Sequence, residues 1–281
     1  MFKTFVSTAV LSALALAASS AMALNSFDLR DRSDPGACEL ASGTPSSYGN
    51  QYNCSKNGSS ADDVGVRAYS TTGSGGKFAA ANLADYTSSG FGVKNADDST
   101  SSGLQPETSS PNHSMDNNGR LDAMLFSFNS SIALSSVRLG WMSGDSDISV
   151  LAWTGVGDAV AALTNSSTGT LLGSGWSLVG SYSDLATSTS DNLNTNARAI
   201  NASAISSSYW LISAYNSTIG GENWSEGNDY VKLNLVAGTF TCVNSNDPSC
   251  SNTQVPEPAS LALVGAALFG AFGLRRRRPR A

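Results

Sequence analysis

The sequence predicts an all-β fold, an antiparallel β-sandwich of the jelly-roll kind, with an apolar helix expected near each end of the chain. Apolar and polar residues alternate in short runs, and Gly, Ser, Asn and Asp separate these runs. No stretch between residues 24 and 254 has a helical repeat of useful length. Strands of roughly five to eight residues joined by turn-rich links are typical of a sandwich, and about 200 residues fit one such domain.

Two strands are expected in the first half of this region and a series of strands follows residue 121. The pattern predicts strands at Val64–Tyr69 and Lys77–Leu83, and a surface loop at Asp97–Ser114. Ile148–Trp153 is apolar on both faces, which is typical of a strand with neighbours on both sides. The other predicted faces are Met124, Phe126 and Phe128; Val137, Leu139 and Trp141; Trp176, Leu178 and Tyr182; Tyr209, Leu211 and Tyr215; and Val231, Leu233, Leu235 and Ala237.

The first 23 residues have the features of a secretory signal peptide. Lys3 supplies the positive charge, Phe5–Ala18 is the apolar region, and Ala21-Met22-Ala23 is a small-residue cleavage site. We therefore expect export by the Sec machinery and a mature chain that begins at Leu24.

A three-part pattern ends the chain. As a helix, its 16-residue apolar run would span about 24 Å, a little less than the ~30 Å hydrocarbon core of a bilayer. The arginines that follow predict a cytoplasmic end, with the body of the protein on the other side of the membrane. In order, the parts are the motif Val255, Pro256, Glu257 and Pro258, the apolar segment 259–274, and the cytoplasmic stop Arg275, Arg276, Arg277 and Arg278.

This tail resembles the PEP-CTERM sorting signal, which is processed by exosortases, membrane enzymes of Gram-negative bacteria. The resemblance implies that residues 251–281 are a sorting signal with a transmembrane helix at 259–274. It also implies that the tail is a transient inner-membrane anchor, cut near Pro256, and that residues 24–250 form the exported domain. The alternative is a permanent single-pass envelope protein.

A second resemblance covers part of the exported domain. The segments 113–128 and 137–155, and similar segments after residue 174, resemble a family of exosortase-dependent surface proteins. This resemblance implies a surface or extracellular-matrix role, such as association with exopolysaccharide in a biofilm, and brings no catalytic residue with it.

The exported domain is strongly acidic. Without Lys3 and the five tail arginines, 10 of the 16 basic residues remain, and without Glu257, 21 of the 22 acidic residues remain, which leaves a net charge near −11. Such a charge argues against nucleic acid and against simple electrostatic attraction to anionic polymers.

Four cysteines lie in the exported part of the chain. Cys38 and Cys54 are 16 residues apart, and Cys242 and Cys250 are 8 apart. Three pairings are open to four cysteines, and we expect the two local ones as structural disulfides. A metal role is disfavoured because the chain has no C-x-x-C motif.

The sequence predicts no required cofactor, but it contains residues that could bind calcium. Calcium is bound by oxygen atoms, often from side chains in loops. The alternative is that the same residues only form turns between strands. The candidate ligands are Asp116, Asp122, Asp145 and Asp147.

No set of residues in the sequence predicts an enzyme. The single histidine, His113, lies beside Ser114 and near Asp116, but no G-x-S-x-G motif marks a nucleophile. Trp224, in a Gly-flanked loop between Glu222 and Glu226, is a candidate for stacking on a sugar ring or for capping the core. We therefore expect a non-enzymatic surface protein, and a secreted polysaccharide hydrolase is the competing hypothesis.

Overall fold

The computed structural model describes residues 24–30, 38–56, 62–73, 76–97 and 110–241. The predicted signal peptide, the cysteines at 242 and 250, and the whole predicted sorting tail lie outside these ranges. Across the described ranges, no helix combines the length and the apolar character needed to cross a membrane.

The described chain contains fourteen strands, two short α-helices, α1 (Ala159–Thr164) and α2 (Ser217–Gly220), and 3-10 turns at Thr87–Ser89 and Leu172–Ser174. All pairings between these strands are antiparallel, so the predicted all-β antiparallel class is confirmed. The strands are β1 (Asn25–Asp28), β2 (Cys38–Ser42), β3 (Gln51–Ser55), β4 (Asp62–Thr71), β5 (Phe78–Ala80), β6 (Asn82–Asp85), β7 (Phe91–Lys94), β8 (Met115–Asp116), β9 (Asp122–Gly144), β10 (Ile148–Trp153), β11 (Trp176–Tyr182), β12 (Arg198–Ala199), β13 (Ser207–Ala214) and β14 (Asp229–Phe240).

One long strand, β9, connects the two layers of the sandwich. Its first part, residues 122–128, pairs with β13 on one side and β4 on the other. Its second part, from Ile132 onward, pairs with β14, which in turn pairs with β1, β7 and β8. The sequence predicted two separate strands here. The chain instead runs through residues 129–131 without a turn, so the sheet curls and its two parts face each other.

The main core lies between these facing layers. Phe27 of β1 and Phe128 of β9 meet edge to face with ring centroids 5.3 Å apart, and Phe240 of β14 packs against both rings. Edge-to-face contacts of this kind add about 0.5–1.5 kcal/mol to the free energy of burying the rings. The aromatic contacts therefore join β1 and β14 to the opposite layer.

A smaller core covers the outer face of the β10–β13 region. Helix α1 begins at Asp158, whose side chain accepts hydrogen bonds from the backbone N–H groups of Val160 and Ala161. The same helix buries Ala159 and Leu163 against the sheet. Both faces of β10 are thus covered. This strand also pairs with β11 on one side and β13 on the other, so the predicted central strand is confirmed.

Several β-bulges change which residues face the main core, and three of them bear on the predicted faces. At Gly140 of β9, the register shifts so that Leu139 faces Leu233 while Trp141 pairs with Lys232. Further shifts at Val179 of β11 and Asn234 of β14 have the same effect. The predicted faces are therefore correct only up to each bulge. Beyond it, Trp141, Tyr182, Leu235 and Ala237 lie on the face opposite to the prediction, and Val236 takes the core position.

The predicted local disulfide between Cys38 and Cys54 is confirmed. The two cysteines are direct cross-strand partners on β2 and β3, and both are buried in the main core. The predicted strand at Lys77–Leu83 is divided into β5 and β6. The division occurs at Ala81, because β5 pairs with β4 whereas β6 pairs with β7, and the Ala81 N–H still donates to the carbonyl of Ala68 in β4.

Candidate functional site

The loop end of the sandwich gathers several acidic side chains. Strand β9 ends at Gly144, where a Cβ would lie 2.3 Å from the carbonyl oxygen of Asn228. This close approach lets the Asp145 N–H donate to that oxygen at 2.8 Å. Because β10 begins at Ile148 and β14 begins at Asp229, the short connection holds Asp145 and Asp147 beside the first residue of β14.

Asp145, Asp147 and Asp229 form a carboxylate triad. One carboxylate oxygen from each lies within 4.8 Å of the others, and Asp147 and Asp229 are buried. Backbone groups hold the triad in place, since the Asp147 N–H donates to Asp229 Oδ1 at 2.9 Å and the Asp184 N–H donates to Asp147 Oδ1 at 2.9 Å. Three carboxylates at this spacing can bind a divalent cation. Calcium is bound by six to eight oxygen atoms, so the triad would supply only some of its ligands.

Asn117 connects the triad to the neighbouring loop. Its amide nitrogen donates to Asp229 Oδ2 at 2.6 Å and to the Tyr215 carbonyl at 2.8 Å. Its amide oxygen accepts from the N–H groups of Gly227 and Asp229. Both the amide nitrogen and the amide oxygen of Asn117 therefore form hydrogen bonds. These bonds hold the triad close to the loop that carries Trp224.

Burial and mutual repulsion raise the pKa of two triad carboxyls. For Asp229 the pKa rises to about 7, mainly because the group is buried and also because the Asp147 charge is close, although hydrogen bonds from the Asp147 N–H and Asn117 oppose the change. The pKa of Asp147 is raised by burial and by the charges of Asp145 and Asp184. A bound cation would favour the ionised form of both groups.

The four predicted calcium ligands lie at the same end of the fold but in two places. Asp145 and Asp147 belong to the triad. Asp116 and Asp122 lie nearby on β8 and β9, where Asp122 Oδ2 accepts from the Asp116 N–H at 3.4 Å. The third member of the triad, Asp229, was missed. Its position at a turn directly before an alternating strand was the available signal.

Calcium binding stays a prediction, and thermal unfolding can test it. The measurement is made at pH 8, where Asp229 is largely ionised. We expect 10 mM calcium to raise the unfolding midpoint of the full chain by about 3–10 °C relative to EGTA. A shift of this size corresponds to the weak calcium affinity that is typical of extracellular modules. Asp147→Asn should abolish the rise, whereas Glu39→Gln, an equal charge change at an exposed position, should not. Equal midpoints in EGTA and calcium would contradict the prediction.

Trp224 lies against the core and remains partly exposed. Its ring is 4.9 Å from that of the buried Tyr215, at an angle of 44°, and the Tyr215 hydroxyl donates to the carbonyl of Glu222. Glu226 is engaged nearby, since its carboxylate accepts from the Ser217 N–H at the start of α2 at 2.5 Å. The loop is thus held by its own hydrogen bonds, and Tyr215 orients the indole of Trp224.

His113 lies in a different cluster, on the outer face of the β9–β14 layer. Its ring stacks on Tyr86 with centroids 4.5 Å apart, and the neighbouring Ser114 hydroxyl donates to the Pro111 carbonyl at 2.5 Å. The Lys232 ammonium lies 4.5 Å from the Tyr86 ring and 3.7 Å from the Trp141 ring. With Lys94, whose ammonium lies 5.9 Å from the Tyr86 ring, these residues form what we call the lysine–aromatic cluster.

The pKa of Lys232 gives a pH-dependent prediction. Burial lowers this pKa from 10.5 to about 8, so the folded protein releases the proton near pH 8 while the unfolded chain keeps it until about 10.5. The contribution of Lys232 to the free energy of unfolding therefore increases between these two pH values. We expect Lys232→Met to be more stable than the natural chain by about 1–2 kcal/mol at pH 7, because the cation–π contacts offset only part of the burial cost.

Urea unfolding of both chains from pH 7 to 10.5 measures this difference, which should shrink as the pH rises. Lys56→Met is the matched control, because the Lys56 ammonium also lies over a ring, that of Phe240, at 5.3 Å, but Lys56 is only half-buried. A difference that stays constant across the pH range would contradict the prediction.

Comparisons with known proteins give a match for the C-terminal tail and none for the β-sandwich. No curated protein and no solved structure matches this chain. The family of the PEP-CTERM protein-sorting motif matches residues 254–278, which include the Pro256–Pro258 motif, the apolar segment and the arginines. The chain thus carries a PEP-CTERM sorting motif, which implies that the protein is exported, processed by an exosortase and held in the membrane only transiently by its C-terminal tail.

Proposed function

We propose that the mature β-sandwich is a non-enzymatic protein of the cell surface or extracellular matrix that associates with exopolysaccharide. The observation that carries this proposal is the sorting motif at 254–278, because it implies that the domain reaches the surface, where it can meet extracellular polysaccharide. A disulfide in the core also suits a domain that works in an oxidising environment.

The loop end supports the association with sugars. A half-buried indole oriented by a second aromatic ring, with amide and carboxylate groups beside it, matches the chemistry of sugar binding, in which rings stack on pyranose faces and polar groups bind hydroxyls. Trp224, Tyr215, Asn216 and Glu222 provide these groups. Asn117 connects them to the carboxylate triad, so a cation bound there would further stabilise the loop.

The competing function, a polysaccharide hydrolase, has less support from the described residues. The Glu226 carboxylate accepts hydrogen bonds from the start of α2, and the Ser114 hydroxyl is bonded to Pro111 rather than to His113. A glycosidase pair needs two carboxyls facing one cleft, and a serine nucleophile needs a base within hydrogen-bond reach.

Retention on the polysaccharide of the producing cells tests this proposal. We expect the full chain in a non-ionic detergent to be retained without release of reducing ends, and Trp224→Ala to weaken retention roughly threefold to tenfold, the value of one aromatic contact. Tyr48→Ala, which removes an aromatic side chain that is 57% exposed, is the matched control and should change nothing.

Three results would oppose the proposal or a part of it. Release of reducing ends would favour the hydrolase. Unchanged retention of Trp224→Ala would remove the stacking role of Trp224, while absence of any retention by the natural chain would remove the association itself.

A further inference from the structure

The lysine–aromatic cluster holds positive charge that no carboxylate neutralises. In the described part of the chain, neither Lys94 nor Lys232 forms an ion pair or a hydrogen bond through its ammonium group. The charges of both lysines act on His113 and lower its pKa, after burial, which is the main cause. The charged groups that act on His113 are therefore the two lysines, and no described carboxylate is among them.

Lys232 is only 3% exposed as a residue, and its ammonium contacts two aromatic rings. Burial of a charge without an anionic partner is costly, and cation–π contacts recover about 1–2 kcal/mol of that cost. A second polar group nearby is also unsatisfied, because Nδ1 of His113 is buried and has no hydrogen-bond partner among the described residues. An anion that accepts hydrogen bonds would satisfy the Lys232 ammonium, and it would also satisfy His113 in the tautomer that carries its proton on Nδ1.

Several elements meet to build this cluster. Lys232 and Trp141 are cross-strand partners on β14 and β9, while Tyr86 follows β6 and His113 precedes β8. Gly92 of β7 makes the assembly feasible, because a Cβ there would lie 2.3 Å from the His113 carbonyl oxygen and 3.1 Å from the Tyr86 ring. The bulge at Gly140 places Trp141 on this face. The cluster therefore depends on the tertiary fold and not on one loop.

The positive charge of the cluster contrasts with the negative net charge of the exported domain as a whole. The domain has a net charge near −11, which opposes non-specific attraction of polyanions. A local group of three nitrogen-bearing side chains next to aromatic rings can nevertheless bind one anionic group at short range, where direct contacts outweigh the screened long-range field.

We propose that the lysine–aromatic cluster is a binding site for the carboxylate of an acidic sugar in extracellular polysaccharide. The ammonium groups of Lys94 and Lys232 and the His113 imidazole surround the carboxylate, while the exposed parts of Tyr86 and Trp141 contact the sugar ring. This inference rests on the proposed association with exopolysaccharide and specifies the class of sugar that is recognised.

Affinity electrophoresis of the full chain in non-ionic detergent tests the site with polygalacturonate, and with dextran as a neutral polymer. We expect polygalacturonate to retard the protein more strongly than dextran, and Lys232→Met to reduce that retardation at least about tenfold, the effect of losing one buried charge-assisted contact. Lys94→Met should reduce it less. Lys56→Met, which removes the same charge elsewhere, should leave it unchanged, and competition by galacturonate but not by galactose should confirm that the carboxylate is recognised.

The outcomes distinguish the acidic-sugar site from the broader proposal. If Lys232→Met and Lys56→Met reduce retardation equally, the effect is one of net charge and the site is refuted. If the natural chain binds its own exopolysaccharide but does not prefer polygalacturonate to dextran, the site is refuted while the association stands. If neither the cells' polysaccharide nor the two polymers retain the protein, both proposals fail. Unfolding midpoints of each variant show whether a loss reflects misfolding.

Discussion

Cells that lack the exosortase should contain a form of this protein that is heavier than the normal surface form by its complete C-terminal tail. The motif at 254–278 implies processing by that enzyme, and we expect the cut near Pro256. In normal cells, intact mass spectrometry of the surface and medium fractions should therefore find a chain that runs from Leu24 to about Pro256. In the mutant, the protein should keep Arg275–Arg278 and remain with the inner membrane.

The motif itself can be tested in normal cells. Replacement of Pro256, Glu257 and Pro258 by alanine should give the same heavy, membrane-held form, since these residues define the signal. The matched control replaces Asn252 and Thr253, which lie just before the matched region. If the arginine tail is retained in both normal and mutant cells, the protein is a permanent single-pass envelope protein, and neither surface release nor matrix association follows.

The second large effect is expected at Arg138, a guanidinium that is completely buried on β9. Its Nε donates to Asn234 Oδ1 at 2.8 Å, and its Nη1 donates to the carbonyls of Ser190 and Asn192 at 3.0 and 3.2 Å. These bonds attach the segment around residue 190 to the sheet. Because hydrogen bonds to a charged group contribute about 1.5–3 kcal/mol each, Arg138→Met should lower the free energy of unfolding by about 3–5 kcal/mol.

Urea unfolding of the full chain measures this loss. Arg198→Met is the matched control, because Arg198 is exposed and, among the described residues, its guanidinium is placed only over the Tyr182 ring, at 5.8 Å. Its expected effect is below about 1 kcal/mol. If the two variants were equally stable, the hydrogen bonds of Arg138 would contribute nothing beyond those of an exposed arginine. The 188–192 segment would then be held by other contacts.

Local patterns predicted most of the strands because alternation is a property of neighbouring residues. The runs at Ile148–Trp153 and Val64–Tyr69 lie within strands β10 and β4, and the cross-strand cysteines pair as expected. The side chains that face the core were predicted less well. A single extra residue at Gly140, Val179 or Asn234 reverses the alternation downstream, and its presence depends on how the partner strand twists and pairs.

The candidate sites, too, were predictable only where their residues are close together in the sequence. Asp145 and Asp147 could be selected from a two-residue spacing in an acidic turn, but Asp229, 82 residues after Asp147, joins them only because β9 and β14 pair. The lysine–aromatic cluster had no local signal at all. Its members come from five separate places in the chain, and a bulge, a close approach at Gly92 and a cross-strand pair bring them together.

By itself, the sequence determined the presence of the sorting motif and the fold class. A sorting motif is recognised as a linear segment, and a period of two residues specifies strands wherever the chain is placed. Only the tertiary structure decided which polar groups share a site. Distances between residues far apart in the chain depend on strand pairing and register, and the cost of burying the Lys232 ammonium and the Asp229 carboxyl is set by what packs around them.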